Sequence, residues 1–440
     1  MRGRPLTTFT ADASAAVGGP PWLARRRAAA YEQFQATSLP TEAEEIWRYS
    51  GIDSFDLDRF APSSTVACRP EADLAAAAAA AEALGPRSGL VVTRSGRVSA
   101  VDLDSAAARG VVLSGAADGV GEPELGLLGP APDAFALLHG AFLADAVVVV
   151  VPAGVVVPAP LVVVHLVDTD AAPAPLLPLH TVIEVGPRAE VTVVELLVPV
   201  GGGDGAALVL PVAEAHVGQA AVLHHCTVQL LSSGCTQVGL QSSRIERDAT
   251  YKAFTAGMGG RYARVRTDSE LVGQGGRSEL LALYLGTDQQ IHDFRTTQDH
   301  AAPRTESELV FTGAVADRAR SVYSGLIRIR HGARASNAMQ TNRNLLLSDE
   351  AHADSVPNLD ILENDVRCSH ASTVGPIDEE QRYYLESRGI DPRAAERLIV
   401  AGFFSDLARR APLQAVAALI EGHVGRRLAP HLEAVGGAGG

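Results

Sequence analysis

A cysteine and a histidine two residues apart, Cys368 and His370, are the pair in this 440-residue chain best suited to inorganic chemistry. Side chains on a β-strand alternate between faces, so a thiol and an imidazole at this spacing point to the same side. Thiolate and imidazole are the soft and borderline donors that iron and zinc accept. Two donors do not close a metal site, which ordinarily needs four. The pair therefore reads either as a buried thiol beside a surface histidine, or as half of a site completed by a distant residue or a partner chain.

Other groups compete for attention. In His224-His225-Cys226, alternation puts His224 and Cys226 on one face and His225 on the other, with Cys235 nine positions later. At most two of the three neighbours converge, and ordinary strand side chains account for them. His292, Asp293, Asp299 and His300 form a polar cluster that could be a carboxylate–histidine site but reads more readily as turn residues between strands. Asp378, Glu379 and Glu380 are explained by the first turn of a helix, where the dipole favours carboxylates. No G-x-S-x-G element is present, and Gly273-Gln-Gly-Gly276 is followed by no helical pattern.

Composition excludes several functions. A formal charge of −14 lacks the basic footprint of a nucleic-acid binder, and Arg25-Arg26-Arg27 reads as a solvated helix face. The lone lysine, Lys252, follows Tyr251, so no P-loop lysine is available and any ATP dependence belongs to another polypeptide. Four cysteines without a C-x-x-C pair predict reduced thiols. The stretch Met1–Thr8 has no apolar run resembling a signal, which predicts a cytoplasmic protein. Ala146–Val167 is apolar enough to suggest a membrane span, but Pro152, Gly154, Pro158 and Pro160 divide it into three short valine-rich pieces.

The elements that must position Cys368 and His370 fall into three regions. Residues 1–145 read as mainly helical: Trp22–Ala36, a capped helix over Thr41–Tyr49 with Thr41 and Glu44 as a capping box, alanine-rich Leu74–Leu84, and Pro132–Leu143. Strands at Leu90–Thr93 and Val111–Leu113 interrupt them. Residues 146–375 read as many short strands with turn punctuation. A recurrent Ser-Glu-Leu at Ser269, Ser278 and Ser307, and an Asn/Gln/Thr run at Ser336–Asn344 able to ladder amides between coils, favour a solenoid over a sandwich or barrel. Residues 376–440 read as three helices. Asp391-Pro392 starts the second, with Ile399, Phe403 and Leu407 on one stripe, and Pro412 opens the third, with Leu413, Val416, Ile420 and Val424 together. Three short helices leave apolar faces for a partner to cover.

Several motifs resemble the SufB/SufD family of iron–sulfur cluster assembly proteins, and within it the SufD branch. They are Glu42-Ala-Glu-Glu-Ile-Trp-Arg-Tyr49, Ile291–His300, Pro303–Ser307, Ser321–Ile327, Gln340–Leu347, Pro357–His370 and Tyr383–Ile390. The resemblance implies a right-handed parallel β-helix between helical ends. It implies a SufB-like partner at the end of the β-helix and a SufC-like ATPase on the carboxy-terminal helices, with a homodimer open in isolation. His370, with Cys368 beside it, would face the SufB-like partner and take part in iron entry or nascent cluster formation; the cluster is transient and shared rather than a tightly bound cofactor. No catalytic residue and no enzyme activity are implied. A SufB-like chain would carry a cysteine after the Pro-x-Ile/Leu-Glu element, and Pro357–Ile361 has none. Ala371-Ser372-Thr373 stands where Gly-Ala-Thr is common in that branch. Two rivals make different demands: a SufB-like homodimer carries the cluster itself, and a polysaccharide-cleaving β-helix needs clustered carboxylates on an exposed face.

Overall fold

The computed structural model describes residues 8–63, 68–103, 109–118, 131–170, 173–201 and 205–434, with side chains as far as Leu428. In the amino-terminal third, α1 (Ala11–Ala15), α2 (Pro21–Ala36), β1 (Phe60–Pro62), α3 (Pro70–Ala80), β2 (Gly89–Arg94), β3 (Arg97–Leu103), β4 (Val112–Gly115) and α4 (Ala134–Phe142) follow in order. The solenoid strands are β5 (Val147–Val151), β6 (Leu161–Asp168), β7 (Ala174–Val185), β8 (Glu190–Val200), β9 (Leu208–Val217), β10 (Val222–Gln229), β11 (Thr236–Ile245) and β12 (Thr250–Gly257). They continue as β13 (Tyr262–Leu271), β14 (Arg277–Gly286), β15 (Ile291–His300), β16 (Glu306–Val315), β17 (Arg320–Ile329), β18 (Ser336–Leu346), β19 (His352–Ile361) and β20 (Val366–Pro376). Helices α5 (Glu379–Ser387), α6 (Pro392–Ala408) and α7 (Gln414–Ala434) end the chain.

From β5 to β20 the strands alternate between two sheets, odd-numbered in one and even-numbered in the other, each parallel to the strand two before it. This is a parallel β-solenoid of eight coils. Six successive odd-to-even corners turn through a residue in the left-handed region: Arg188, Ala220, Asp248, Gly275, Arg304 and Ala335. The amide of that residue donates to the next coil's turn: Arg188 to Gln219, Ala220 to Arg247, Asp248 to Gln274, Gly275 to Pro303, Arg304 to Arg334 and Ala335 to Asp365. The turns are thus a second ladder beside the strands, and they hold the coils in register.

Register turns sequence into columns. Ser278-Glu279-Leu280 stacks on Ser307-Glu308-Leu309, and Ser269 reaches across the lumen to Ser278 at 2.8 Å, so the Ser-Glu-Leu echo is a stacking repeat. The lumen is apolar over most of its length, with Val163, Val193, Leu223, Leu280 and Leu309 along one wall. Tyr284, Phe294, Phe311 and Tyr323 then stack across it at 4.7, 5.5 and 5.4 Å between successive ring centres. Asn342 and Asn344 do not ladder between coils as expected. They face the lumen, bond to each other at 2.7 Å, and receive the Tyr284 hydroxyl and Ser321.

Helices cover part of each outer face. α2 and α4 lie with the Trp47 segment against the odd sheet, and α6 and α7 pack on Leu281, Leu283 and Leu285 of the even sheet. The amino-terminal end is closed by strands of opposite sense: β4 runs antiparallel to β5, and the β2–β3 hairpin sets β2 parallel to β6. Among the described residues no helix is long and apolar enough to cross a membrane.

Local expectations fail where tertiary contacts decide. Over Thr41–Tyr49 only a 3-10 turn at Glu45–Trp47 forms, although the Glu44 carboxylate still accepts from the Thr41 amide at 3.1 Å. Burying Trp47 against Phe135 and Arg264 fixes that backbone instead. Arg27 is not solvated: its guanidinium is buried and donates to the Leu143 carbonyl at 3.0 Å. In α6 the inward stripe is Ala395, Val400, Phe404 and Leu407, about one residue round from Ile399 and Phe403. The tail covers most of its own apolar surface by docking on the solenoid, where Arg410 also pairs with Glu279 and Glu308. Ala146–Val167 becomes two strands, β5 and β6, joined by a turn in which Val156 forms an isolated bridge with Glu190.

Phe294 stands at the middle of the lumen stack, so truncating it opens a cavity that neighbouring coils cannot fill. Phe294→Ala is expected to cost about 3–5 kcal/mol in denaturant unfolding. A loss below about 1 kcal/mol would show that the lumen collapses around the vacancy.

Candidate functional site

Strand β20 places Cys368 and His370 on its lumen side, as their spacing predicts. In register with β18, Cys368 lies above Ala338, His370 above Gln340 and Ser372 above Asn342, all three partners being buried. Cys368 is half-buried against the cluster of Ile327, Ile329 and Ala338, and burial pushes its thiol up from the ordinary range. His370 is exposed. Facing it across the lumen, β19 presents Ser355, Pro357, Leu359 and Ile361, and the Ser372 hydroxyl donates to Ser355 at 2.8 Å.

The setting of this pair is unlike the rest of the solenoid. β19 and β20 are the last strands of their sheets. No residue from His352 to Pro376 is buried, whereas the coil beneath is sealed, and Leu359, Ile361, Leu362 and Val374 stand exposed around the rim. Edge strands carry unpaired backbone donors and acceptors, and natural proteins normally blunt or cover them. Among the described residues no group of three or more His, Cys, Asp or Glu side chains could hold a metal. Cys368 and His370 therefore present two donors at an open end, and further ligands have to come from outside these residues.

Most other candidates are structural. His292, Asp293, Asp299 and His300 are not turn residues but lie on β15, where His292 and His300 point into the lumen and Asp293 and Asp299 outward. Polar residues recur at lumen-facing strand positions of β15, so hydrophilicity does not mark a turn here. His300 bonds to Thr305 at 2.7 Å and Ser307 at 2.8 Å. Asp293 receives Arg264, Arg295 at 2.5 Å and Tyr262 at 3.4 Å. The two arginines then donate to the Ile46 and Arg48 carbonyls at 2.8 and 2.7 Å, with Arg264 over the Trp47 ring. This cluster anchors the amino-terminal segment. Cys226 faces outward into the core beneath the carboxy-terminal helices, and Cys235 lies in a separate cluster. Burial raises both thiols, Cys226 to about 12, so neither offers a thiolate.

Sequence reasoning missed a buried constellation around Glu195. Its carboxylate accepts from His225 at 2.5 Å, Thr181 at 2.6 Å and His165 at 3.1 Å. Burial pushes this carboxyl up, but the hydrogen bonds and charges of the two histidines outweigh it and hold it below the ordinary range. The three residues lie some thirty positions apart, one per coil, and only the stacking of β6, β8 and β10 brings them together. A second chain runs from the Leu210 carbonyl, which can only accept, to His139 and on to His180 at 2.8 Å each. Desolvation, with each other's proximity, lowers His139 to about 3, and burial lowers His180 to about 4.

The fold and site together define a parallel β-solenoid with an uncovered last coil and a Cys-Ser-His strand at its rim. Residues 168–403 match the SufBD core domain of the SUF system of FeS cluster assembly, and the chain belongs to that family. It is 30% identical over 280 residues to the iron–sulfur cluster assembly protein SufD of Bacillus subtilis, covering 63% of each chain. To SufD of Escherichia coli it is 32% identical over 184 residues, 42% of this chain and 44% of the relative. To a SufBD family protein of Mycobacterium tuberculosis it is 39% identical over 173 residues, 38% of this chain and 44% of the relative. The matched segments span less than two thirds of each relative.

The buried imidazoles make stability depend on pH. His139 is lowered to about 3, and His180, His292 and His300 to about 4, chiefly by burial. Below about pH 6.5 the unfolded chain binds protons that the folded chain refuses, so stability falls as pH drops from about 6.5 toward 4. Each histidine contributes up to about 1.4 kcal/mol per pH unit in that window. Melting temperature measured from pH 7.5 to 4.5 should fall with acid, and His292→Leu should flatten the slope by about one proton. An unchanged slope in that variant would show that His292 protonates while folded.

Proposed function

We propose that this chain is a SufD-like scaffold subunit of an iron–sulfur cluster assembly complex, without enzymatic activity of its own. The observation that carries this reading is the uncovered last coil, whose two edge strands and apolar rim fit a second solenoid continuing the sheets, a SufB-like partner above all. His370, with Cys368 beside it, then supplies donors to iron or to a nascent cluster that is cargo shared with the partner. A cysteine or carboxylate from the partner would complete the coordination that two donors leave short.

An ATPase of the SufC kind fits the other exposed surface. α6 and α7 spend their apolar stripes on the solenoid, but Tyr383, Tyr384 and Leu398 remain 73, 57 and 54% exposed. Aromatic residues in that position are typical interface anchors. Nucleotide hydrolysis by such a partner would shift the two solenoids against each other and change access to the rim, a population shift driven in trans. Names of the SufD relatives support the assembly role, and the absence of a cysteine within Pro357–Ile361 supports SufD over SufB.

Reconstitution tests the reading. The chain mixed with SufB-like and SufC-like proteins should form one heteromeric complex, and His370→Ala should reduce cluster formation in it by tenfold or more on the scale of lost metal ligands and their supports while leaving assembly intact. Undiminished cluster formation by the variant complex would overturn the role given to His370. A complex that holds a cluster without the SufB-like protein would favour the homodimeric alternative.

A further inference from the structure

Among the described residues, a buried side chain next to the rim has no hydrogen-bond partner. Gln340 of β18 is 2% exposed, and neither its amide nitrogen nor its carbonyl oxygen makes a hydrogen bond among the described residues. Buried polar groups left without a hydrogen bond are costly, and native chains ordinarily give them a partner. Its polar neighbours are already engaged: Tyr323 bonds to Thr296 at 3.2 Å, and Asn342 and Asn344 bond to one another and to Tyr284. Gly325 faces it, and a Cβ there would lie 2.7 and 2.8 Å from the amide atoms and against the Tyr323 hydroxyl. With no Cβ on Gly325 to meet it, the amide lies in the lumen of the last sealed coil, one register step below the rim.

The residue on that side is His370. It is the register partner of Gln340, in the same lumen-facing column, about 4.8 Å away at the backbone as parallel neighbours are. We propose that Gln340 is a positioning residue for His370. Its carboxamide oxygen accepts the proton of one imidazole nitrogen, so the ring is held in one tautomer and the other nitrogen faces the open end with its lone pair free. Histidines that bind metals commonly donate their second nitrogen to such an acceptor, which orients the ring and raises its basicity. The inference rests on the reading of His370 above and adds the group that aims it.

Ring nitrogen shifts of the full chain labelled with 15N-histidine, recorded where the imidazole is neutral and assigned with His370→Gln, read the tautomer directly. Wild type should show one nitrogen protonated, and Gln340→Leu should show the averaged shifts of a solvated ring. Gln340→Glu should keep the single tautomer, and Gly325→Ala, which drives a methyl into the amide, should lose it. In the complex with the SufB-like partner, Gln340→Leu should also weaken Co(II) binding by tenfold or more. Identical ring shifts in wild type and Gln340→Leu would overturn the inference without touching the role of His370. Unchanged Co(II) binding and cluster formation in His370→Ala, with the tautomer still dependent on Gln340, would instead overturn that role and leave the hydrogen bond standing.

Discussion

Parallel pairing in exact register is the constraint on which everything else in this molecule depends. A parallel strand needs a neighbour on both sides to use its backbone groups, and the solenoid supplies one from the coil below and one from the coil above. The turn ladder through Arg188, Ala220, Asp248, Gly275, Arg304 and Ala335 repeats the same demand at six successive odd-to-even corners. A structure of this kind cannot finish itself. At the amino-terminal end, reversed strands β3 and β4 stop it, and at the other end β19 and β20 are left with half of their pairing unmade.

That asymmetry decides where chemistry can occur. Tyr284, Phe294, Phe311 and Tyr323 plug the middle of the lumen, so the polar groups around Glu195 are cut off from the open end and serve the fold. His165 and His225 are occupied by the Glu195 carboxylate, whereas among the described residues His370 makes no hydrogen bond. In the proposed assembly, two donors at an unfinished edge supply half of an interface site. The shortage of ligands, puzzling for an isolated chain, follows from the same incompleteness as the unpaired strands.

Much of the architecture was legible because it is written locally. Valine- and leucine-rich strands, the stacked Ser-Glu-Leu segments, Asp378 and Asp391 as helix caps and the shared face of Cys368 and His370 all follow from short-range rules. Long-range causes were not legible. The coils carry no hexapeptide repeat because the turn position accepts arginine, alanine, aspartate or glycine, the requirement being a left-handed backbone and an amide rather than a side chain. Glu195 could not be joined to His165 and His225 without the register, and His292 and His300 looked like turn residues because hydrophilicity alone does not separate a loop from a polar lumen. Trp47 shows a local helix pattern overruled by one buried aromatic contact with Arg264 and Phe135.

The central claim is that the last coil is an edge awaiting a second solenoid. Amide hydrogen exchange along 366–376, measured on the chain at a monomeric dilution and again with a SufB-like partner, addresses it most directly. The account predicts rapid exchange on the free edge of β20 in the chain alone, slow exchange in β18 throughout, and strong protection of β20 once the partner is bound. Protection of β20 in the isolated monomer, or exchange there that the partner leaves unchanged, would contradict it.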